Sequence, residues 1–201
     1  MTDFANLPAD ITPAAFFALV EESLKNEPAP ANAAPDKLVI HVSGDGGGVW
    51  AMGFSGGRLV IEQGSAQSAP MQVSTSVEDM RAFVAGSVRD AIKAKAGGRS
   101  IDAKQVAKIF RITEKTDLVK NYSGDLALVV ENGASNHRVT LTFGGGAPNT
   151  ASPTTTISIA LEDFLAMLGG ELNPQAAFFA GKIRLDGDMN LAMGLAAMAM
   201  G

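Results

Sequence analysis

Thr154-Thr155-Thr156-Ile157-Ser158-Ile159-Ala160-Leu161-Glu162-Asp163-Phe164-Leu165-Ala166-Met167-Leu168-Gly169-Gly170 changes its period once, near Leu161. Thr155, Ile157 and Ile159 alternate with Thr156, Ser158 and Ala160, the two-residue period of a strand with one apolar face. Leu161, Phe164, Leu165 and Leu168 then follow helical spacing, and Gly169-Gly170 ends the helix where a positive φ is needed. Asn173-Pro174 opens a second short helix that carries Phe178 and Phe179 and stops at Gly181. Ile183 and Leu185 form one more short strand, closed by the turn Asp186-Gly187-Asp188.

The same strand-to-helix change occurs earlier in the chain. Met71–Gly86 lies over Thr155–Gly170 without a gap: Ser74 meets Ser158, Glu78 meets Glu162, Asp79 meets Asp163, and Gly86 meets Gly170. Upstream, Leu38/Ile40/Val42 matches Leu126/Leu128/Val130, at a different offset because the first half has the extra strand Leu59–Ile61. The pattern reads as a tandem duplication, with one unit over residues 1–98 and a second over 99–201.

Outward from these stretches the remaining elements are local readings. Thr12-Pro13 starts an amphipathic helix with Phe16, Val20 and Leu24 on one side. Pro28 to Pro35 is an extended spacer. A glycine-punctuated meander follows: Leu38–Val42, Val49–Phe54, Arg58–Ile61 and Met71–Thr75. Ser76 caps a helix that the spacing of Val77, Met80, Val84, Val88 and Ile92 carries unbroken to Lys95. Ser100 opens another helix through Ile101, Val106 and Ile109, and strands return at Leu126–Val130 and Val139–Phe143.

A chain of 201 residues with 46% hydrophobic and 18% charged content is globular and can bury a core. A net charge of -5 argues against nucleic acid, and limits membrane contact to transient encounters. There is no cysteine, which excludes disulfides and thiolate chemistry. The first residues show no basic and apolar leader pattern, so a cytoplasmic location is expected.

Several motifs are tempting and fail on context. Gly53-Phe54-Ser55-Gly56-Gly57 spells a nucleophile elbow, but a strand rather than a helix follows, so a hairpin turn is expected. Gly44 to Gly48 precedes no helix and reads as a turn rather than a phosphate cradle. Asp186, Asp188 and Asn190 open like a calcium loop, but Leu191 and Ala197 occupy the places of the required Gly and Glu. His41 and His137 sit at polar strand positions and are expected to face solvent. No catalytic constellation, metal site or cofactor is expected.

The second half resembles the sterol carrier protein type 2 family of lipid-binding domains, over roughly residues 125–198. The resemblance is carried by Leu161-Glu162-Asp163-Phe164-Leu165, Asn173-Pro174-Gln175, Ala177-Phe178-Phe179, Gly181-Lys182-Ile183 and Gly187-Asp188-Met189. Two departures stand out. Ala180 follows the aromatic pair where the family often has a polar residue, and Gly144–Asn149 replaces a strand expected between Phe143 and Thr154.

The expected fold is α+β: two related units, each a twisted antiparallel-rich sheet covered on one face by helices. The resemblance implies non-catalytic binding, and in part transfer, of a fatty acyl chain, sterol-like molecule or other lipid. Its cavity walls would be Phe164, Leu168, Leu172, Phe178, Phe179, Ile183, Leu185, Met189, Met193 and Leu195. The first half lacks the Asn-Pro and Phe-Phe segments and is expected to be a structural companion. The alternatives are a protein–protein or dimerisation module that uses the same apolar strip, and an accessory domain beside a lipid-modifying enzyme.

Overall fold

The computed structural model describes residues 6–26, 38–64, 69–95 and 121–193. Chain order is α1 (Pro13–Leu24), β1 (Leu38–Ser43), β2 (Gly48–Ser55), β3 (Arg58–Gln63), β4 (Met71–Ser76), α2 (Val77–Val84) and α3 (Ser87–Lys95). It continues with β5 (Gly124–Asn132), β6 (Ser135–Phe143), β7 (Thr155–Ala160), α4 (Leu161–Leu168), α5 (Pro174–Phe179) and β8 (Ile183–Gly187). The spacer at 28–35, the helix expected from Ser100 and the boundary at 98/99 lie outside the described residues.

All eight strands form one sheet in the order β3-β2-β1-β4-β6-β5-β7-β8. This corrects the expectation of a separate sheet in each half. The join is the antiparallel pair β4–β6, with Val73 opposite Leu141 and Thr75 opposite Val139. Left apart, β4 and β6 would each present a row of unpaired N–H and C=O groups, and pairing them satisfies both edges.

Within the sheet the two halves have the same arrangement. Strands β2-β1-β4 and β6-β5-β7 each consist of an antiparallel hairpin followed by a parallel neighbour. Even the parallel register agrees: Val39 faces Gln72 and Ile40 faces Val73, as Ala127 faces Thr156 and Leu128 faces Ile157. The gap-free shift that carries Met71 to Thr155 also carries the ends of β4 and α2 onto those of β7 and α4.

Local chemistry explains the element ends. Thr12 caps α1 by accepting from Ala15 N at 3.2 Å, and Pro13 takes the first helical position. Gly56 and Gly57, at φ 58 and 77, form the two-residue turn between β2 and β3, so Gly53–Gly57 is a hairpin end and not an elbow. The helix read as continuous from Ser76 to Lys95 is two helices, broken at Ala85-Gly86. A Cβ on Gly86 would come within 3.1 Å of Ala82 Cα, a tight approach at the close turn between α2 and α3.

Among the described residues the core is weighted to the first half. Phe16, Phe17, Val20 and Leu24 of α1 join Ile40, Val42, Trp50, Met52 and Leu59 of the sheet, and Val77 and Met80 of α2. Phe17 lies on Trp50 with ring centroids 4.7 Å apart. Outside that layer, Glu21 of α1 accepts the backbone N–H of Ile61 at 3.0 Å, which occupies one donor of the edge strand β3. Leu126, Phe143, Leu191 and Ala192 extend the same cluster into the second half.

The opposite sheet face is polar and partly covered by the Gly144–Asn149 loop. Gln72 donates to Gly146 O at 2.6 Å, while Asp125 accepts from Thr142 Oγ1 at 2.6 Å and from Asn149 N at 3.2 Å. No strand forms between β6 and β7, in keeping with the glycine-rich sequence there.

Candidate functional site

Apolar side chains meet solvent where α4, α5 and β8 lie over the second half of the sheet. On the sheet, Leu128, Ile157 and Leu185 stand side by side across β5, β7 and β8, and Ile159 pairs with Ile183. Leu128, Ile157, Leu185 and Ile183 are only half-buried. Above them α4 contacts β5 and β7, and α5 contacts β8.

Helix α4 has no buried residue, although Leu161, Phe164, Leu165, Met167 and Leu168 make it strongly apolar. Its counterpart α2 buries Val77, Met80 and Ala82. The gap-free shift places Leu161, Phe164 and Ala166 at those three positions, and all three are half-buried. One helix of the pair seats its apolar stripe in the core. The other does not.

Helix α5 is built by Asn173, whose side-chain oxygen accepts from Gln175 N at 2.9 Å and Ala176 N at 3.3 Å, with Pro174 at its first position. Only Ala177 of α5 is buried. Phe178 and Phe179, edge-to-face at 5.9 Å, are 37% and 84% exposed. Neither phenylalanine anchors the core. The small Ala177 does that, at 0% exposure.

Of the other expected wall residues, Phe164, Leu172, Ile183 and Leu185 are half-buried, and Leu168, Met189 and Met193 are exposed. Leu195 lies outside the described residues. Residues 189–193 are helical, and there Leu191 and Ala192 are buried between the exposed Met189 and Met193. Met189 and Met193 were expected wall residues, and Leu191 and Ala192 were not. The structure divides them, and the three-to-four-residue period of a helix is the signal that separates them.

Ion pairs border the patch. Lys182, just before β8, donates to Asp163 in the first turn of α4. That hydrogen bond, and then the charge of Asp163, raise the Lys182 pKa above its ordinary 10.5. Arg184 of β8 pairs with Glu131 of β5, and Lys95 of α3 reaches Glu171 after α4 at 2.6 Å. Asp188 Oδ1 accepts from Asn190 N at 2.8 Å, which caps the helical turn at 189–193.

The histidines depart from their expected places. His41 is half-buried on the polar face, 2.8 Å from Gln72 Oε1. His137 is buried, at 7% exposure, with Nδ1 3.3 Å from Asp79 Oδ1. Strand parity holds the missed signal: His137 alternates in step with Val139, Leu141 and Phe143, and so lies on the helix-covered face. Among the described residues no three His, Asp or Glu converge as a metal site, and no helix is long and apolar enough to cross a membrane.

The architecture is a mixed one of helices on an eight-stranded, mainly antiparallel sheet, with an open apolar surface in its second half. The sequence model of the SCP-2 sterol transfer family matches residues 104–200. Sterol carrier protein 2 of Bos taurus is 32% identical over 117 residues, covering 52% of this chain and 22% of that protein. Sterol carrier protein 2 of Homo sapiens is 30% identical over 147 residues, covering 70% and 26% respectively. Peroxisomal multifunctional enzyme A of Dictyostelium discoideum is 28% identical over 117 residues, covering 52% and 26%. The chain thus spans about a quarter of the length of these curated relatives. Among solved structures, sterol carrier protein 2 like 2 from Aedes aegypti aligns at 25% identity and a TM-score of 0.32, over 55% of this chain and 91% of that one.

Proposed function

We propose that the second half of this chain binds a hydrophobic ligand without covalent chemistry, a fatty acyl chain or a sterol-like lipid, on the surface between α4, α5, β8 and residues 189–193. One observation carries the reading: α4 keeps its apolar stripe out of the core while its counterpart α2 buries the same positions. The likeness to sterol carrier proteins supports a lipid as the occupant.

Phe164, Leu168, Leu172, Phe178, Phe179, Ile183, Leu185, Met189 and Met193 line this surface, and Leu195 belongs to the same proposed set. Covering it stabilises the complex by roughly 25 cal/mol per Å² of apolar area removed from water. The methionines suit ligands of varied shape, because an unbranched thioether repacks easily.

The first half, proposed as residues 1–98, is the structural companion of the ligand-binding unit, 99–201. The shared strand order, register and element ends support a tandem duplication. In the first half α1 already fills the sheet face, with Phe17 on Trp50. Among the described residues, α1 takes the place on the sheet that a ligand would need.

A second reading, an accessory unit beside a lipid-modifying enzyme, is favoured by the names and lengths of relatives such as the multifunctional enzyme. Native mass spectrometry of protein purified from cells tests the lipid reading. Heterogeneous lipid mass on the protein is the expected result. A lipid-free dimer whose formation is lost on Phe179→Asp would instead make the patch a protein interface.

A further inference from the structure

The seam between the halves holds a group of residues that lipid binding does not use. His137 of β6 faces Asp79 in the first turn of α2 and Ser87 at the start of α3. Asp79 Oδ1 lies 3.3 Å from His137 Nδ1, and Ser87 Oγ lies 3.5 Å from Nε2 on the other side of the ring. Ser76 fixes the acid: its Oγ donates to Asp79 Oδ2 at 2.9 Å and accepts from Asp79 N at 2.9 Å, which leaves Oδ1 for the imidazole. The tautomer with its proton on Nδ1 satisfies both contacts, donating to Asp79 and accepting from Ser87.

The burial is graded in the order such chemistry needs. The histidine is buried, the Asp79 side chain is 18% exposed, and Ser87 is open to solvent. Phe83 stands edge-on to the imidazole with centroids 6.3 Å apart, so the ground beside the ring is apolar. Ser87 is the first residue of the nine-residue helix α3. The backbone N–H groups of a helix's first turn have no acceptor within the helix, and they favour negative charge.

We propose that Asp79, His137 and Ser87 form a serine nucleophile site for carboxylic esters or thioesters. The site is independent of the lipid surface. Ser87 Oγ attacks the acyl carbon as its proton passes to His137 Nε2, and the carbonyl electron pair moves onto oxygen. The N–H groups at the start of α3 face the developing oxyanion. The pair then returns, the bond to the alcohol or thiol breaks, and the leaving group takes the proton from Nε2. A water repeats the sequence on the acyl-serine, giving the carboxylic acid and restoring Ser87. Asp79 is the positioning residue, which holds the imidazole tautomer. Distances of 3.3 and 3.5 Å are at the long end for such contacts, as is common before substrate closes them.

The experiment uses the full chain and a fluorophosphonate probe, with the modified peptide identified by mass. The expected result is one label on Ser87, with its rate falling on the order of 100-fold in His137→Gln and in Asp79→Asn. Hydrolysis of 4-nitrophenyl butyrate is expected to fall in parallel, and to vanish above background in Ser87→Ala. Ser87 is exposed, so S87A keeps the fold, and it serves if H137Q does not fold. A downfield imidazole N–H resonance from His137, kept in Ser87→Ala and lost in Asp79→Ala, reports the positioning contact separately. No label on folded wild-type protein, a label on another serine such as Ser55, or labelling of Ser87 at an unchanged rate in the His137 and Asp79 variants would overturn the proposal.

Discussion

Met80 of α2 and Phe164 of α4 occupy the same position in two strand–helix units of equal length, yet Met80 is 6% exposed and Phe164 only half-buried. The difference lies in what stands opposite each helix. α2 sits over a layer that α1 completes, with Phe16, Phe17 and Leu24 in place. α4 has the apolar row Leu128, Ile157 and Leu185 before it, still half-buried.

Truncation at these two positions should therefore separate fold from ligand. Met80→Ala is expected to cost about 2–5 kcal/mol, the range for a buried large-to-small change. Phe164→Ala should cost about 1 kcal/mol, since fewer contacts are lost. It should also weaken retention of a fluorescent fatty acid several-fold. Urea unfolding and a binding titration on both variants measure the pair, and equal destabilisation would place Phe164 in a filled core.

Phe178 and Phe179 are expected to be replaceable by alanine with a loss within about 0.5 kcal/mol each, as for exposed sites. Their neighbour behaves oppositely. Ala177 is fully buried, so Ala177→Leu overpacks the contact of α5 with β8 and should cost about 1–3 kcal/mol. Thermal unfolding of the three variants gives the order, and a large loss in either phenylalanine variant would contradict it.

The end of the described chain divides in the same way. Leu191, at 3% exposure, belongs to the core cluster, and Leu191→Ala should cost about 2–5 kcal/mol. Met193 is 63% exposed, and its alanine variant should unfold like the wild type while releasing lipid faster. The segment is thus anchored at Leu191, and fast hydrogen exchange at residues 191–192 would argue otherwise.

The Lys182–Asp163 contact predicts an alkaline dependence. The lysine pKa is raised in the folded chain, first by its hydrogen bond with Asp163 and then by that charge. A raised pKa stabilises the fold fully below the unfolded value of 10.5, and that stabilisation is lost as pH rises through the folded value. The stability difference between wild type and Lys182→Met should hold steady from pH 7 to 9 and shrink as pH rises above 10.5. It should be small throughout, because the side chain is solvated. A difference that grew at high pH would have the wrong sign.

Each local element was legible because the forces that set it are local. Thr12-Pro13 starts a helix, Gly56-Gly57 turns a hairpin, and Asn173-Pro174 caps α5, each through contacts within a few residues. The break at Gly86 was missed because Val77, Met80, Val84 and Val88 keep helical spacing across it. The break is visible only in the folded chain, where α2 ends at Val84 and α3 begins at Ser87.

The sequence by itself determined the order of the elements around β4–α2 and β7–α4, the starts of both helices and the end of α4, since side-chain period and capping are written in neighbouring residues. It also determined which residues in the second half are apolar enough to need a cover. The tertiary structure decided that the two halves share one sheet, because β4 and β6 pair through backbone groups that every residue carries and no side chain announces. It decided as well which apolar stripe is core and which stays open, because burial depends on what lies opposite: α1 in the first half, half-buried sheet residues in the second. The meeting of Asp79, Ser87 and His137 is of the same kind, with partners 50 and 58 positions apart brought together by the folded seam alone.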